Sequence, residues 1–229
     1  MIDVVLPCLD EAEALAWLLG RFPPGFRPLV ADNGSTDGSR EVAAAAGAEV
    51  VEVPQRGYGA AVHAGLVAAT SDVVAVMDAD GTLDPADLPL VAAPVVRGDA
   101  DLSCGRRRPT SRAAMPLHSR AGNAVLAARL RSAGGLGVRD VGPLRVGRRA
   151  AMLDLGVAHR RSGYPVELLL RAGAAGWRVV EVDVPYGPRR GGRSKVTGDL
   201  RGYVRAVGDI GGVLREVRGT APHAPGRTA

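Results

Sequence analysis

The sequence is short of aromatic residues, of lysine and of cysteine, and each shortage narrows what the chain can be. Aromatics make up 3% of its 229 residues. That leaves little for stacking on bases, so nucleic acid is not an expected partner. The two cysteines, Cys8 and Cys104, are too few for a disulfide scaffold and lack metal-ligand spacing; they read as reduced, buried small side chains. No apolar run approaches the roughly 18 residues that a bilayer-spanning helix needs. The first residues show neither the basic start nor the cleavage site of a signal peptide, and a cytoplasmic protein is expected. Of 29 basic residues one, Lys195, is a lysine. Either chance spared it, or that position wants a compact ammonium that arginine cannot supply.

What is present is the composition of a folded globular chain, 46% hydrophobic and 23% charged, long enough for one core that buries roughly 70–75% of the unfolded surface. We read residues 1–218 as one domain and 219–229 as a disordered tail. The net charge of +5 conceals a division along the chain. Residues 1–101 hold 16 acidic and 5 basic side chains, whereas residues 102–229 hold 8 and 24, so the two halves carry −11 and +16. An acidic half suits a divalent cation, and a basic half suits phosphates or an anionic membrane surface.

The first hundred residues alternate β-branched apolar runs with helical patterns, which predicts an α/β fold with a mostly parallel sheet covered by helices. Strands are expected at Ile2–Leu6, Leu29–Ala31, Glu49–Val53, Val73–Met77 and Asp101–Cys104, and helices at Glu11–Leu19, Thr36–Ala46, Tyr58–Ala69 and Pro85–Val96. Thr36 is a candidate cap, and Asp84 before Pro85 makes a helix start. Farther on, Arg106–Met115 reads as a loop and Leu117–Arg131 as a helix. Short helices at Arg148–Leu153 and Val166–Ala175, a late strand at Trp177–Val184, a basic glycine-rich loop at Tyr186–Thr197 and an amphipathic helix at Leu200–Val217 follow.

Ligands of such sheets bind beyond the carboxyl ends of the strands, and three of these ends carry acids. In Val76-Met77-Asp78-Ala79-Asp80-Gly81 two carboxylates stand two residues apart, so both point the same way. Carboxylate oxygens beside a phosphate are what Mg2+ or Mn2+ requires; a solvated turn is the plain alternative. Leu6-Pro7-Cys8-Leu9-Asp10-Glu11 ends the first strand. Asp32-Asn33-Gly34-Ser35-Thr36-Asp37-Gly38 ends the second, where side-chain turns are the alternative reading. After the third strand, the glycines of Gly57-Tyr58-Gly59-Ala60-Ala61 would let backbone N–H groups approach a phosphate. That segment matches neither the dinucleotide fingerprint nor the triphosphate-binding loop.

Together with Gly192-Arg193-Ser194-Lys195, these segments make residues 2–200 resemble the family 2 glycosyltransferases of GT-A fold, within them the polyprenol-phosphate (dolichol-phosphate) mannosyl- and glucosyltransferases. The resemblance implies a Rossmann-like sheet with helices on both faces, a nucleotide-sugar half at 1–104 and an acceptor half at 105–218. It also implies Mg2+ or Mn2+ and an inverting transfer of one hexose from GDP-mannose or UDP-glucose to polyprenyl phosphate. Under it, Pro7, Asp10 and Glu11 would line the nucleotide pocket, with Asp10 where the family often has Asn, and Asp32 would read the nucleoside. Gly57 and Ala79 would lie along the donor. Asp78 would meet the ribose or the metal, and Asp80 would be the principal metal ligand. Thr82 stands where some relatives place a metal-site Gln. Arg107 and Arg120 fall where the family has arginines for the acceptor phosphate, and Arg189 and Lys195 match its late basic loop.

A phosphate acceptor wants guanidinium forks, and a departing nucleoside diphosphate wants its charge neutralised. A phosphate monoester is already anionic near neutral pH and attacks without a protein base, whereas a hydroxyl acceptor needs one. Glu167 lies roughly where hydroxyl-directed relatives carry that base; it could equally pair with Arg171 one helical turn on. The expected partners are therefore the donor, a lipid-phosphate or hydroxyl acceptor, and a peripheral contact with an anionic membrane face. Two rivals remain: a sugar-phosphate nucleotidyltransferase, disfavoured because no glycine- and arginine-rich loop follows the first strand, and an inactive binding module.

Overall fold

The computed structural model describes residues 1–134 and 136–191; the expectations for Lys195, for the helix at 200–217 and for the tail at 219–229 lie outside them. Chain order is β1 (Ile2–Cys8), α1 (Ala12–Leu19), β2 (Phe26–Asp32), α2 (Ser39–Ala45), β3 (Glu49–Glu52), α3 (Tyr58–Ala68) and β4 (Val73–Met77). It continues with a short 3-10 turn at Pro85–Asp87, then α4 (Leu88–Val96), β5 (Leu102–Pro109), α5 (Leu117–Gly134), β6 (Leu144–Arg148), α6 (Arg149–Asp154), α7 (Tyr164–Ala174) and β7 (Val179–Tyr186). The strands form one sheet ordered β3-β2-β1-β4-β6-β5-β7. Every neighbouring pair is parallel except those of β6, which runs antiparallel to β4 and to β5.

Alternation along the central strands sends side chains to both faces, and both are apolar, as a strand covered on two sides requires. Val4, Leu6, Val30, Ala75 and Met77 pack with Leu15 and Leu18 of α1 and Leu88, Val91 and Val95 of α4. Their neighbours Val5, Leu29, Ala31, Val74 and Val76 pack on the other face with Ala61, Val62 and Leu66 of α3 and Leu168 of α7. Gly65 brings α3 against β1, since a Cβ there would come within 2.3 Å of Val5 Cγ1. Asp3, buried at the start of β1, accepts hydrogen bonds from Arg27 Nε at 2.7 Å and from the backbone N–H groups of Thr70 and Ser71 at 2.7 and 2.9 Å. Burial alone would raise its pKa, but Arg27 and the two amides outweigh it and hold the carboxyl far below the usual range.

Cys8 and Cys104 are free and buried, as expected. Asp84 caps the 3-10 turn by accepting from Ala86 N. Thr36 does not cap α2: Gly38 holds the cap position at φ 88°, and the Thr36 hydroxyl turns instead to Asp10. The loop expected from Arg106 begins later, because β5 runs on to Pro109. Arg106 and Arg108 both reach Asp183 on the adjacent β7, so a stretch without apolar periodicity is held as strand by cross-strand ion pairs. β2 starts three residues earlier than its apolar run, and Pro28 is tolerated there because β3 pairs only from Leu29 onward.

Candidate active site

The carboxyl ends of β1, β2 and β4 open into a cleft of about 710 Å³. Of the residues singled out by sequence, Pro7, Glu11, Gly57, Asp78, Ala79, Asp80, Arg107 and Arg189 line it, joined by Asn33, Arg56, Tyr58, Met115, Arg161 and Tyr186. Its acidic floor is made where β4 ends. Asp80 Oδ1 accepts from the Thr82 hydroxyl at 2.7 Å and from Thr82 N at 3.1 Å, which fixes the carboxylate and leaves Oδ2 facing outward. Thr82 is thus a residue that orients Asp80. Asp78 Oδ1 accepts from the Tyr58 hydroxyl at 3.1 Å. Burial and the Asp80 charge push the Asp78 carboxyl well above the usual carboxylate range, against the opposing pull of Arg145, Tyr58 and Arg107.

Among the described residues no third His, Cys, Asp or Glu joins this pair in a group able to hold a metal. Two carboxylates, with phosphate oxygens and water in the other positions, are how Mg2+-class ions are held at nucleotide sites, so the donor set fits. A cation also stands at the pair already. Arg189 Nη1 donates to Asp80 Oδ2 at 2.8 Å, and its Nη2 bridges to Glu11.

Other expected ligands serve the loops. Asp10 adopts φ 52°, a left-handed conformation that Asp and Asn tolerate better than most side chains. Its Oδ1 accepts from Thr36 N at 2.9 Å and its N–H donates to Ser35 Oγ at 2.9 Å, so it ties the β1 and β2 loops together and does not line the cleft. Asp32 is 1% exposed. Both its oxygens accept from the turn amides of Gly34 and Ser35, so Asp32 shapes the side-chain turn at the end of β2. The glycines after β3 admit the protein's own loop. Gly57, at φ 140°, and Gly59 lie so close to the 159–160 backbone that a Cβ would come within 2.2 Å of Arg160 O and 2.5 Å of His159 O. The Gly57 N–H is taken by Asn33 Oδ1 at 2.7 Å, while Gly57 itself borders the cleft.

For Glu167 the structure shows the pairing with Arg171 that the sequence also offered. Glu167 is absent from the cleft wall, and its carboxylate accepts from Ala158 N at 3.0 Å, His159 N at 2.7 Å and Arg171 Nε at 2.6 Å. Burial would raise its pKa, yet those amides and the guanidinium hold it below its ordinary value. A carboxylate so engaged is a clamp on the 157–162 loop and a poor base, and the pairing with Arg171 is the reading that holds.

The basic residues divide between two spaces. Arg107, on β5, is held by Asp140 through both side-chain oxygens and its own N–H, while Nη2 also donates to Asn123 at 3.1 Å. Its guanidinium lies 5.4 Å from the Tyr186 ring centre. Beside the cleft is a second hollow of about 360 Å³, lined by Arg106, Arg107, Arg108, Arg120 and Arg139. Arg120 borders this hollow and not the main cleft, and Arg107 borders both. Sequence reasoning missed Asp140 and Asn123, which place Arg107, and Arg145, a buried cation on β6 at 3% exposure. The available signal for Arg145 was a lone charge inside the apolar run Leu144-Arg145-Val146.

Residues 3–153 match the sequence profile described as Glycosyl transferase family 2. An uncharacterized glycosyltransferase of Mycobacterium tuberculosis is 55% identical over 213 residues, covering 93% of this chain and 97% of its own. A dolichyl-phosphate hexose transferase of Haloferax volcanii is 31% identical over 194 residues, covering 83% of this chain and 84% of its own. Among solved structures, the glucosyl-3-phosphoglycerate synthase of M. tuberculosis, in complex with Mn2+, uridine-diphosphate and phosphoglyceric acid, is alike at a TM-score of 0.74 and 23% identity. That likeness of fold spans 98% of this chain and 80% of the synthase chain. The mostly parallel sheet with helices on both faces is accordingly a GT-A fold, and the chain belongs to glycosyl transferase family 2.

Proposed function

We propose that this glycosyltransferase moves a hexose from a nucleotide sugar, GDP-mannose or UDP-glucose, to polyprenyl phosphate, with Mg2+ or Mn2+ at Asp78 and Asp80. The observation that carries the reading is the adjacency of two sites, which share Arg107 and Met115. Arg107 borders both the carboxylate-floored cleft and the arginine-lined hollow, so a phosphate-bearing acceptor in the hollow would adjoin a donor in the cleft. Guanidinium groups suit a phosphate through paired N–H donors. The engagement of Glu167 favours the same acceptor: its carboxylate is occupied by two amides and Arg171, and a phosphate attacks without giving up a proton to the protein. The dolichyl-phosphate hexose transferase among its relatives supports a lipid phosphate.

A metal ion bound at this pair would supply charge neutralisation for the departing diphosphate. The protein's own share is orientation: Thr82 fixes Asp80, Tyr58 fixes Asp78, and the Asp140 and Asn123 pair fixes Arg107. No helix among the described residues is long and apolar enough to cross a membrane. On α5, Leu117 and Val125 are exposed on one helix face, which together with nearby arginines supports a peripheral contact with an anionic lipid surface.

The test is thermal stability with UDP, GDP and their sugars, each with and without Mn2+. A ligand at 100 times its dissociation constant adds about 2.7 kcal/mol, and the expected outcome is a Mn2+-dependent rise for one nucleotide only. No rise with either nucleotide would remove the donor site and the function built on it.

A further inference from the structure

After β7 the chain crosses the carboxyl end of β4 as a short strap. Its backbone is tied to the acidic loop twice, Gly187 N donating to Thr82 O at 2.8 Å and Arg190 N donating to Asp80 O at 3.0 Å. Its side chains are tied to α1. The Arg190 guanidinium lies 3.9 Å from the Trp17 ring centre, and Gly191, at φ 89°, sits where a Cβ would come within 2.3 Å of Glu13 Oε2. Between these anchors Arg189 reaches into the cleft and bridges Asp80 Oδ2 and Glu11.

Asp80 has one oxygen committed to Thr82 and one facing the cleft, and Arg189 holds the second. We propose that Arg189 is the resident cation of this site: guanidinium and divalent ion hold Asp80 in turn, and loading with metal and nucleotide frees the strap from the acidic loop. The proposal rests on the donor-site reading above and specifies how that site is regulated. The Glu11 and Asp80 carboxylates face one cleft and share Arg189, and two neighbouring carboxylates of low exposure favour a cation between them whether or not a ligand is bound. Arg189 supplies it in the empty state. Displaced, it stays in the same cleft, where a nucleoside diphosphate gives it a new anionic partner. Exchange of this kind makes the metal bind weakly alone and well together with nucleotide, and the coupling is reciprocal.

The experiment measures Mn2+ binding directly, from the paramagnetic resonance signal of free Mn2+, without nucleotide. Arg189→Gln removes the competing charge while keeping a polar, shorter side chain, and it should bind Mn2+ about tenfold tighter than the wild-type protein, corresponding to roughly 1.4 kcal/mol. Equal or weaker binding overturns the proposal. If that variant does not fold, Trp177→Phe leaves Trp17 as the sole tryptophan and reports the strap by its fluorescence. Addition of Mg2+ with UDP or GDP should then change Trp17 emission as Arg190 leaves the ring, and unchanged emission overturns the proposal. The donor-site reading fails separately, when wild-type protein binds neither UDP nor GDP in the presence of Mn2+.

Discussion

In the first hundred residues half of the strand-end carboxylates hold their own loops, whereas beyond residue 101 most of the described arginines that the sequence singled out hold carboxylates. Asp10, Asp32 and Asp37 accept from backbone N–H groups of adjoining turns, which leaves Glu11, Asp78 and Asp80 on the cleft. Arg106 and Arg108 share Asp183, Arg107 takes Asp140, and Arg171 takes Glu167. Pairs also cross between the halves: Arg148 with Asp72, Arg178 with Asp101, and Arg189 with Asp80 and Glu11. Part of the opposed net charge therefore knits the halves together, and the rest pairs within each half. Only the few charges that remain on the cleft after local pairing speak about ligands.

The contrast can be broken at its centre. Asp80→Asn keeps the shape of the first half and removes its outward charge; turnover should fall about 10³-fold while the melting temperature stays within a few degrees of wild type. Steady-state kinetics beside a thermal melt reads both. In the second half, Arg107→Ala strands the Asp140 carboxylate, whose side chain is 6% exposed, and should cost about 3–5 kcal/mol in denaturant unfolding. Replacing both residues by leucine should cost much less, because no unpaired charge is then left buried. An equal loss in the double variant would mean that packing, and not the pair, holds that wall.

Glu167→Gln gives a smaller effect with an opposite signature. Removal of a true general base costs about 10²–10⁴-fold in rate, whereas loosening a clamp should lower stability by about 1–3 kcal/mol and keep turnover within roughly tenfold of wild type. The smallest effect is in pH. Burial and Asp80 raise the Asp78 pKa, and a cation binds the carboxylate and expels the proton. Metal affinity should be complete above that raised pKa and should decline as pH falls through it, well above the roughly 4 at which an ordinary carboxyl titrates. A titration of Mn2+ affinity against pH that stays flat down to about 5 would contradict the raised value.

The same two regions differ in how much could be read from sequence. β1 and β4 and the helices around them announce themselves because Val4–Leu6 and Val73–Met77 are continuous apolar runs and each helix follows a glycine or acidic turn, whereas β3 shows only as the Val50-Val51 pair between glutamates. The Asp78 and Asp80 pair was legible for the same reason: it ends the clearest of those runs. β6 was harder, since an antiparallel strand inserted between β4 and β5 breaks the parallel rule that the first half obeys. Its approach is fixed by Gly142, where a Cβ would come within 2.1 Å of Gly105 O, a contact between residues far apart in sequence. The local partners of Asp32, Gly57 and Glu167 could not be read in advance because each residue type suits a turn or clamp as well as a ligand. Ser35 meets Asp32 through a local turn, whereas the 158–160 segment reaches Gly57 and Glu167 only through the fold.

The most direct measurement is transfer of labelled hexose, from GDP-mannose and from UDP-glucose, to polyprenyl phosphate and in parallel to polyprenol, with Mn2+ and after its chelation. The account predicts label in the phosphate-bearing lipid from one donor, none in the free alcohol, and loss of that product on chelation. Label appearing in polyprenol, or transfer to polyprenyl phosphate that survives chelation, would contradict it.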